Sequence, residues 1–429
     1  MCNESGSFLP EYLIRQIKHR FHHVDRDIAG GERLYFDNAG GSLRLKKTIE
    51  SMATIDAFPD SSERGHARAR ELAAICARGV GDVQTILNVR DGSICCTRSA
   101  SASMFEMVRA VMEGVTGTNV VTTVLEHPSA FDAMSYYAER TAKELRVAPS
   151  NPITGSVDVD AIVALVDEGT SLLTVIYSSN ISGAILDLEA LVARVREKNP
   201  SLYIIVDAVQ RIPHGVVDVE RIPVDGINFA PYKFFGPRGF GISWLSPRAA
   251  ALSHHRLAGA TDVDWDLGSA APAQYAAVTD IVDYVTWIGQ VFKPDADRRA
   301  RFVEGMGRIE QHERALLRRM LDGTSEVRGL RRLPGVRVHW DTEPLTKRDP
   351  IVGIEFAKLT AAEAVREYEA RGVIVYERVS TSIYSERMLK SLGIDGVVRI
   401  SPLHCHSESD IDRFLEITAA VAALSNFDA

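Results

Sequence analysis

The sequence predicts a two-domain α/β protein, and three observations indicate this fold class. Short apolar runs of strand length, such as NVVTTVLEH, SLLTVIY and LYIIVDAV, alternate with segments of helical period such as VDVDAIVALVDE and DLEALVARVREK. This alternation favours a parallel sheet covered by helices on both faces, and it holds from about Leu34 to about Tyr284. The 429 residues also exceed what one hydrophobic core usually fills. A smaller α+β domain is therefore expected after the large domain.

The predicted elements follow one another in a simple order. Residues 1–33 form an arm with one short helix, and residues 34–290 form the large domain. A long polar helix from about Asp297 to about Leu321 has the length and the charged face of a connector. Residues 291–429 form the small domain, completed by the arm. Its strands lie near VRVHW, IVGIEF, VIVYE and VVRIS, one helix lies near TAAEAVREYEARG, and a final helix begins at Glu408.

Composition and charge exclude several classes of protein. With 45% hydrophobic and 25% charged residues the chain is ordinary for a soluble protein, and its net charge of −8 disfavours nucleic acid as a partner. The sequence shows neither a run of 18 uncharged apolar residues nor a signal peptide, so we expect a cytoplasmic protein without a membrane partner. The five cysteines are odd in number and irregularly spaced, which indicates reduced thiols. The HCH string around Cys405 and the pair His254–His255 lack a second ligand cluster, so no metal is expected.

One lysine lies in an unusual setting. The stretch NFAPYKFFGPRGFGISW surrounds Lys233 with phenylalanines, a tyrosine and a tryptophan. Burying an ammonium group is costly unless the group is paired or neutral. Two interpretations of the segment are open. Either the side chain extends to water, or the apolar setting lowers its pKa and frees the amine to form a Schiff base.

Polar residues follow four of the predicted strands. LYIIV is followed by Asp207 and Gln210, NVVTTVL by Glu126 and His127, SLLTVIY by SSN, and GSICC by TRSAS. Each motif alone is explained by a helix cap or a turn. In an open α/β sheet, however, ligands bind beyond the carboxyl ends of the strands. Together with an amine, these groups are the ones that pyridoxal phosphate requires.

The order of these motifs resembles the class V aminotransferases, the pyridoxal-phosphate enzymes that include the cysteine desulfurases. EH, SSN-x-x-G, VDAVQ and the YKFFGP lysine occur in the family's order, and the similarity extends over roughly residues 30 to 425. The resemblance implies the fold type I of pyridoxal-phosphate-dependent transferases. This fold has a large domain with a mainly parallel seven-stranded sheet between helices and a smaller C-terminal α+β domain. It also implies pyridoxal 5′-phosphate as cofactor, an amino acid as the small-molecule substrate, and a homodimer with shared active sites.

The resemblance also assigns roles to single residues. Lys233 would hold the cofactor as a Schiff base and move the substrate Cα proton, and Asp207 would pair with the pyridinium nitrogen. His127 would stack on the ring, and Gln210 would hydrogen-bond its phenolic oxygen. The phosphate would be bound by Ala100, Ser101 and Tyr232, and Ser269 would bind the phosphate in the active site of the neighbouring subunit. Asn180 would contact the phenolic oxygen or the substrate carboxylate. Arg399 would bind the substrate carboxylate.

Several positions depart from the family pattern. Ala230 and Tyr232 replace a serine and a histidine, and Ser99 replaces a glycine in the phosphate turn. No cysteine occurs between Lys233 and Arg399, and the loop that carries the desulfurase thiol reads ERVSTSIYSERM. Cys405 lies beyond that region and is interpreted as a structural thiol. Three segments are expected to select the substrate: the loop after Phe36, the stretch SSERGHARAR and the tip near ERVSTSIY.

The predicted function is therefore a pyridoxal-phosphate enzyme that forms an external aldimine and a Cα carbanion, most simply a β-lyase or a transaminase. A true cysteine desulfurase, an amino-acid epimerase and an inert cofactor-binding protein remain alternatives. An NAD enzyme is a weaker alternative, because GPRGFG at 236–241 lacks a preceding strand and a following helix in the dinucleotide-binding arrangement.

Overall fold

The computed structural model describes residues 5–424, in which helices and strands alternate through the first half of the chain. The helices are α1 Glu11–Arg20, α2 Lys46–Asp56, α3 Ala67–Leu87, α4 Ala100–Gly114, α5 Pro128–Arg140, α6 Val159–Leu165, α7 Leu188–Lys198, α8 Pro247–Ala250, α9 Pro272–Phe292, α10 Arg298–Asp322, α11 Ala361–Glu369, α12 Glu386–Ser391 and α13 Glu408–Leu424. The strands are β1 Leu34–Tyr35, β2 Ser93–Thr97, β3 Asn119–Thr123, β4 Glu144–Ala148, β5 Thr170–Ile176, β6 Tyr203–Asp207, β7 Gly226–Phe229, β8 Gly241–Leu245, β9 Val336–His339, β10 Val352–Phe356, β11 Val373–Ile374, β12 Tyr376–Val379 and β13 Gly396–Ile400.

The large domain contains a seven-stranded sheet in the order β2-β8-β7-β6-β5-β3-β4. Strands β3 to β7 run parallel to their neighbours among themselves, and β8 is antiparallel to both β2 and β7. All residues of β3 and β5 are buried, as expected for central strands with helices on both faces. The predicted fold class, with its mainly parallel seven-stranded sheet, is confirmed.

The small domain contains an antiparallel sheet in the order β12-β13-β10-β9. Its core includes the ring of Tyr368 on α11, which stacks on Phe414 of α13 at a centroid distance of 5.7 Å. The predicted connector is helix α10, which begins one residue after Asp297, whose side chain accepts a hydrogen bond from the Ala300 N–H at 2.8 Å. The predicted final helix begins at Glu408, as α13 does.

The N-terminal arm contacts both domains. Leu13 and Ile17 of α1 are fully buried in the core of the large domain, while β1 pairs in parallel with β11 of the small domain. The Leu9 N–H donates to His312 Nδ1 on α10 at 3.1 Å. The boundaries at residues 33/34 and 290/291 stay predictions, because β1 lies after residue 33 and yet pairs with a small-domain strand.

The sheet brings the predicted site residues to one edge. In the parallel register Ile176 at the end of β5 pairs with Asp207 at the end of β6, and Asp207 in turn pairs with Asn228 of β7. The loops after these strands therefore converge beyond their carboxyl ends. Within residues 5–424, none of the helices combines the length and the apolar composition needed to cross a bilayer.

Candidate active site

A cavity lies beyond the carboxyl ends of the central strands, at the loops that the sequence singled out. Its lining includes nine residues from four of these loops and from the 230–233 turn: Ser99, Ala100, Ser101, His127, Asn180, Asp207, Gln210, Tyr232 and Lys233. Two predicted residues are not part of this lining. Arg399 is buried beside it on β13, and Ser269 is exposed on the surface of its own chain.

Lys233 points into the cavity and does not extend to water, since only 8% of the residue is exposed. Its Nζ donates to Gln210 Oε1 at 3.1 Å. Burial lowers the pKa of the amine, and the nearby positive charges of Arg399 and Arg378 lower it further, against the opposing carboxylate of Asp207. Of the two interpretations of this lysine, the structure supports the buried amine with a lowered pKa.

The backbone after Lys233 is held in an unusual conformation. A short 3₁₀ turn spans Pro231–Lys233, and Phe235 adopts a left-handed φ of 62°, which is rare for a residue other than glycine. The Phe235 N–H donates to Ser42 Oγ at 2.9 Å, and the ring packs against His404 at a centroid distance of 4.8 Å. These contacts hold the strained turn, so the aromatic residues around Lys233 fix its direction as well as its burial.

Asp207 is buried at the end of β6 with 4% of the residue exposed. Its Oδ1 accepts a hydrogen bond from the Val209 N–H at 3.0 Å. Burial raises the pKa of this carboxyl group, while the Val209 N–H and Lys233 act in the opposite direction. A carboxylate in this position is suited to a cationic partner in a water-poor cavity.

His127 caps the N-terminus of α5. Its Nδ1 accepts the Ser129 N–H at 3.2 Å and lies 2.7 Å from Ser129 Oγ, so the proton of the neutral ring is on Nε2. Burial, with the positive charges of Lys233, Arg378 and Arg387, lowers the pKa of His127 to about 3. Its other neighbour is the ring of Tyr384, at a centroid distance of 6.4 Å and an interplanar angle of 29°.

Helix α4 begins at the edge of the cavity. Ser99 caps it by accepting the Ala102 N–H at 3.1 Å, and its φ of −167° is an extended conformation that serine adopts without strain. The substitution of serine for the family glycine therefore leaves this turn intact. Gly241 of β8 lies against the turn, since a Cβ there would collide with the Ala100 backbone. The first N–H groups of α4 form a site suited to an anion.

One fully buried side-chain oxygen of the cavity lining lacks a hydrogen-bond partner within residues 5–424. Asn180 Oδ1 is buried without a hydrogen bond, although the Asn180 backbone oxygen accepts from Arg399 NH1 at 3.0 Å. A buried acceptor without a donor is costly, and it indicates a position for a ligand donor.

The sequence interpretation missed four charged residues around the cavity. Asp37 Oδ1 lies 2.6 Å from Arg399 NH2, and Arg378 lies on the strand next to Arg399. The Arg238 guanidinium covers the Tyr232 ring at 4.4 Å, and Arg44 donates to the Tyr232 backbone oxygen. Asp37 and Arg378 fall in two segments that were expected to select the substrate, but no local signal distinguished them from their neighbours.

The four cysteines within residues 5–424 are not positioned as nucleophiles. Cys405 is fully buried in the core, and burial raises its pKa well above the ordinary value. Burial also raises the pKa values of Cys76, Cys95 and Cys96. A raised pKa lowers the thiolate fraction at neutral pH, and the thiolate is the reactive form.

The imidazole of His127 is expected to stay neutral from about pH 8 to about pH 5, because its pKa in the folded protein lies far below the unfolded value of about 6.5. The unfolded chain takes up the proton first as the pH falls, so this residue lowers stability below that unfolded value. Imidazole NMR signals recorded against pH test this, with His127→Asn identifying the signal. A midpoint between pH 6 and pH 7, about the unperturbed histidine value, would contradict the burial argument.

Comparisons with known proteins identify the family of this chain. The model of the family Aminotransferase class-V matches residues 34–414. A cysteine desulfurase from Yersinia pseudotuberculosis serotype O:1b (strain IP 31758) is 25% identical over 348 residues, which are 74% of this chain and 79% of the relative.

Two solved structures share the fold. The cysteine desulfurase CsdA (S-sulfonic acid) from Escherichia coli superposes with a TM-score of 0.78 at 19% identity, over 96% of this chain and 99% of the other. The apo cysteine desulfurase from Thermococcus onnurineus NA1 gives a TM-score of 0.77 at 20% identity, over 98% and 99%. This chain belongs to the class-V aminotransferase family of pyridoxal-phosphate-dependent enzymes and is homologous to the cysteine desulfurases.

Proposed function

We propose that this protein binds pyridoxal 5′-phosphate on Lys233 and acts on an amino acid as a β-lyase or a transaminase, without transferring a persulfide. One observation carries the proposal. A buried lysine amine with a lowered pKa lies in the same cavity as a buried carboxylate, a neutral imidazole and the N-terminus of a helix.

The residues of the cavity fit this cofactor. The N-terminus of α4, with Ser101, would hold the phosphate, and Tyr232 would add a hydroxyl donor where the family has a histidine. Arg238 and Arg44, which surround Tyr232, would compensate with positive charge for Ala230, whose methyl group cannot donate the hydrogen bond that a serine would. Asp207 would face the ring nitrogen.

The remaining contacts concern the ring and the substrate. Gln210 Oε1 accepts a hydrogen bond from the Lys233 amine, and its amide Nε2 would donate to the phenolic oxygen of the cofactor. The partnerless oxygen of Asn180 would accept from the ligand, and His127 would cover the ring face.

When bound, pyridoxal phosphate supplies an aldehyde that condenses with an amine and a ring that accepts the electron pair left at Cα. Residues of the chain itself would transfer the proton and bind the substrate. Lys233, when neutral, accepts the Cα proton at Nζ. Asp207, in its carboxylate form, would pair with the ring nitrogen and keep that nitrogen protonated. Arg399 binds the substrate carboxylate through its guanidinium group, and Asp37 at 2.6 Å orients that group.

The absence of a loop thiol favours a β-lyase or a transaminase over a desulfurase. The chain has no cysteine between Lys233 and Arg399, and Tyr384 of the ERVSTSIYSERM loop lies beside His127. A hydroxyl group is a far weaker nucleophile than a thiolate at neutral pH. The relatives named as cysteine desulfurases therefore support the shared cofactor chemistry more than the sulfur transfer.

We further propose a homodimer in which Ser269 contributes to the phosphate site of the partner subunit. Ser269 is exposed and outside the cavity of its own chain, as a contribution to a neighbouring subunit requires. The adjacent Ala270 N–H donates to Glu63 Oε1 at 3.5 Å, which ties this segment to the SSERGHARAR stretch.

Replacing Lys233 with alanine is expected to remove the yellow chromophore that borohydride bleaches, because the amine that forms the Schiff base is lost. The absorbance spectrum of the purified protein before and after borohydride measures this. Lys143→Ala is a matched control, since Lys143 is a partly buried lysine that donates to the Met112 and Val115 backbone oxygens away from the cavity. A reducible chromophore that persists in Lys233→Ala would show that another lysine holds the cofactor.

Incubation with cysteine and a reductant is expected to give sulfide, ammonia and pyruvate in equal amounts if the enzyme cleaves this amino acid, because elimination needs no protein thiol. Alanine, the co-product of desulfuration, should not accumulate. Alanine, pyruvate and protein-bound persulfide are measured together, and Cys405→Ala should change none of them. Stoichiometric alanine with a persulfide on Cys405 would refute the proposal and would require that buried thiol to reach the cavity.

A further inference from the structure

We infer that Arg378 forms a second anion subsite, so that the substrate is an amino acid whose side chain carries an acidic group. The inference deepens the proposed function and rests on it. Arg399 would bind the α-carboxylate and Arg378 the acidic group of the side chain, such as a carboxylate or a sulfinate.

The register of the small sheet places the two arginines on one face. Strands β12 and β13 are antiparallel, with Tyr376 opposite Arg399 and Arg378 opposite Val397. Residues directly opposite each other share a face, and so do residues two apart on one strand. Arg378 and Arg399 are therefore diagonal neighbours, with backbones roughly 7–8 Å apart. Two anionic groups of one small molecule fit this arrangement.

Hydrogen bonds join both arginines to residues at the cavity, although neither arginine is part of its lining. Arg399 NH1 donates to the backbone oxygen of Asn180, which lines the cavity. Arg378 NH2 donates to the backbone oxygen of Tyr384 at 2.7 Å, and the Tyr384 ring lies over His127. The positive charge of Arg378 also lowers the pKa values of both Lys233 and His127, as expected for a neighbour of the cavity.

The charges around the two arginines are unequal. Arg399 has a carboxylate partner in Asp37 at 2.6 Å. Arg378 is only 7% exposed, its Nε has no hydrogen-bond partner, and no carboxylate of residues 5–424 lies within ion-pair distance of it. Burial lowers the pKa of Arg378 to about 10, with Arg399 adding to the effect, and Tyr376 and Asp37 only partly oppose this. A buried guanidinium without an anion is costly, so an anionic ligand would relieve a cost present in the empty cavity.

The other anionic groups of the proposed complex have partners elsewhere. The phosphate is assigned to the N-terminus of α4 and to the Tyr232 side of the cavity, and the α-carboxylate is assigned to Arg399. Arg378 is then the buried cation left for the substrate side chain. A neutral side chain such as that of cysteine would leave it without an anion.

The test compares two unreactive ligands of the holoprotein by calorimetry. Succinate and butyrate each have four carbons and no amine, but succinate carries two carboxylates and butyrate one. Succinate is expected to bind at least about tenfold more tightly, the usual scale for one added charge-assisted contact. Arg378→Gln should abolish the difference and leave butyrate affinity unchanged, and Arg378→Lys should keep part of it. Arg366→Gln, on the exposed face of α11, is the control and should keep the full difference.

Three results would overturn the inference. They are equal affinities for succinate and butyrate in the wild-type protein, an undiminished preference for succinate in Arg378→Gln, and an equal loss of affinity for both ligands in that variant. An equal loss of affinity would mean that Arg378 binds the carboxylate that both ligands carry. If Arg378→Gln does not fold, the wild-type comparison and Arg378→Lys still decide. A yellow, borohydride-sensitive protein without a preference for succinate would refute this inference alone, whereas a colourless protein would refute the proposed function.

Discussion

Burying the Lys233 amine strips it of water, and the surrounding residues only partly replace that hydration. One neutral acceptor, Gln210 Oε1, lies 3.1 Å away, and the carboxylates of Asp207 and, to a smaller extent, Asp37 favour the charged form. Arg399 and Arg378 oppose that form, so the pKa of the amine is lowered. A neutral amine is a nucleophile and a proton acceptor, whereas an ammonium group is neither. The two arginines therefore affect the pKa of Lys233, and in the proposed function they would also bind the substrate.

The two domains contribute different chemistry to the cavity. The parallel sheet of the large domain supplies the lysine, the carboxylate, the imidazole and the N-terminus of α4 from the loops after its strands. The antiparallel sheet of the small domain supplies two arginines from one face, and the segment after β1 supplies Asp37. In the proposed function, cofactor chemistry would therefore depend on the large domain and substrate selection on the domain boundary. This division explains how a homologue of the desulfurases could keep the cofactor site and change the substrate.

The local sequence was sufficient to predict features that depend on residues adjacent along the chain. Apolar runs followed by polar residues indicated the strand ends. The aromatic setting of Lys233 left burial and extension to water both open, and the order of the surrounding motifs favoured a buried Schiff-base lysine. The sequence did not indicate Arg378, because its role depends on the pairing of β12 with β13, and an arginine in a charged loop is ordinarily exposed. Asp37 was missed for the same reason, since its partner Arg399 is 362 residues away along the chain. The backbone at Ser99 is extended, which serine adopts without strain, so the replacement of the family glycine does not distort this turn. The sequence alone could not show that backbone conformation.

Reductive capture of the cofactor, followed by peptide mapping, tests most directly whether Lys233 is the reactive amine. The apoprotein is incubated with pyridoxal phosphate across a pH series, reduced with borohydride and digested. The account predicts one modified peptide, which contains Lys233, with a yield that is already maximal at about pH 8, well below the ordinary lysine pKa of about 10.4. Modification spread over surface lysines, or a Lys233 yield that rises up to the ordinary lysine pKa, would contradict it.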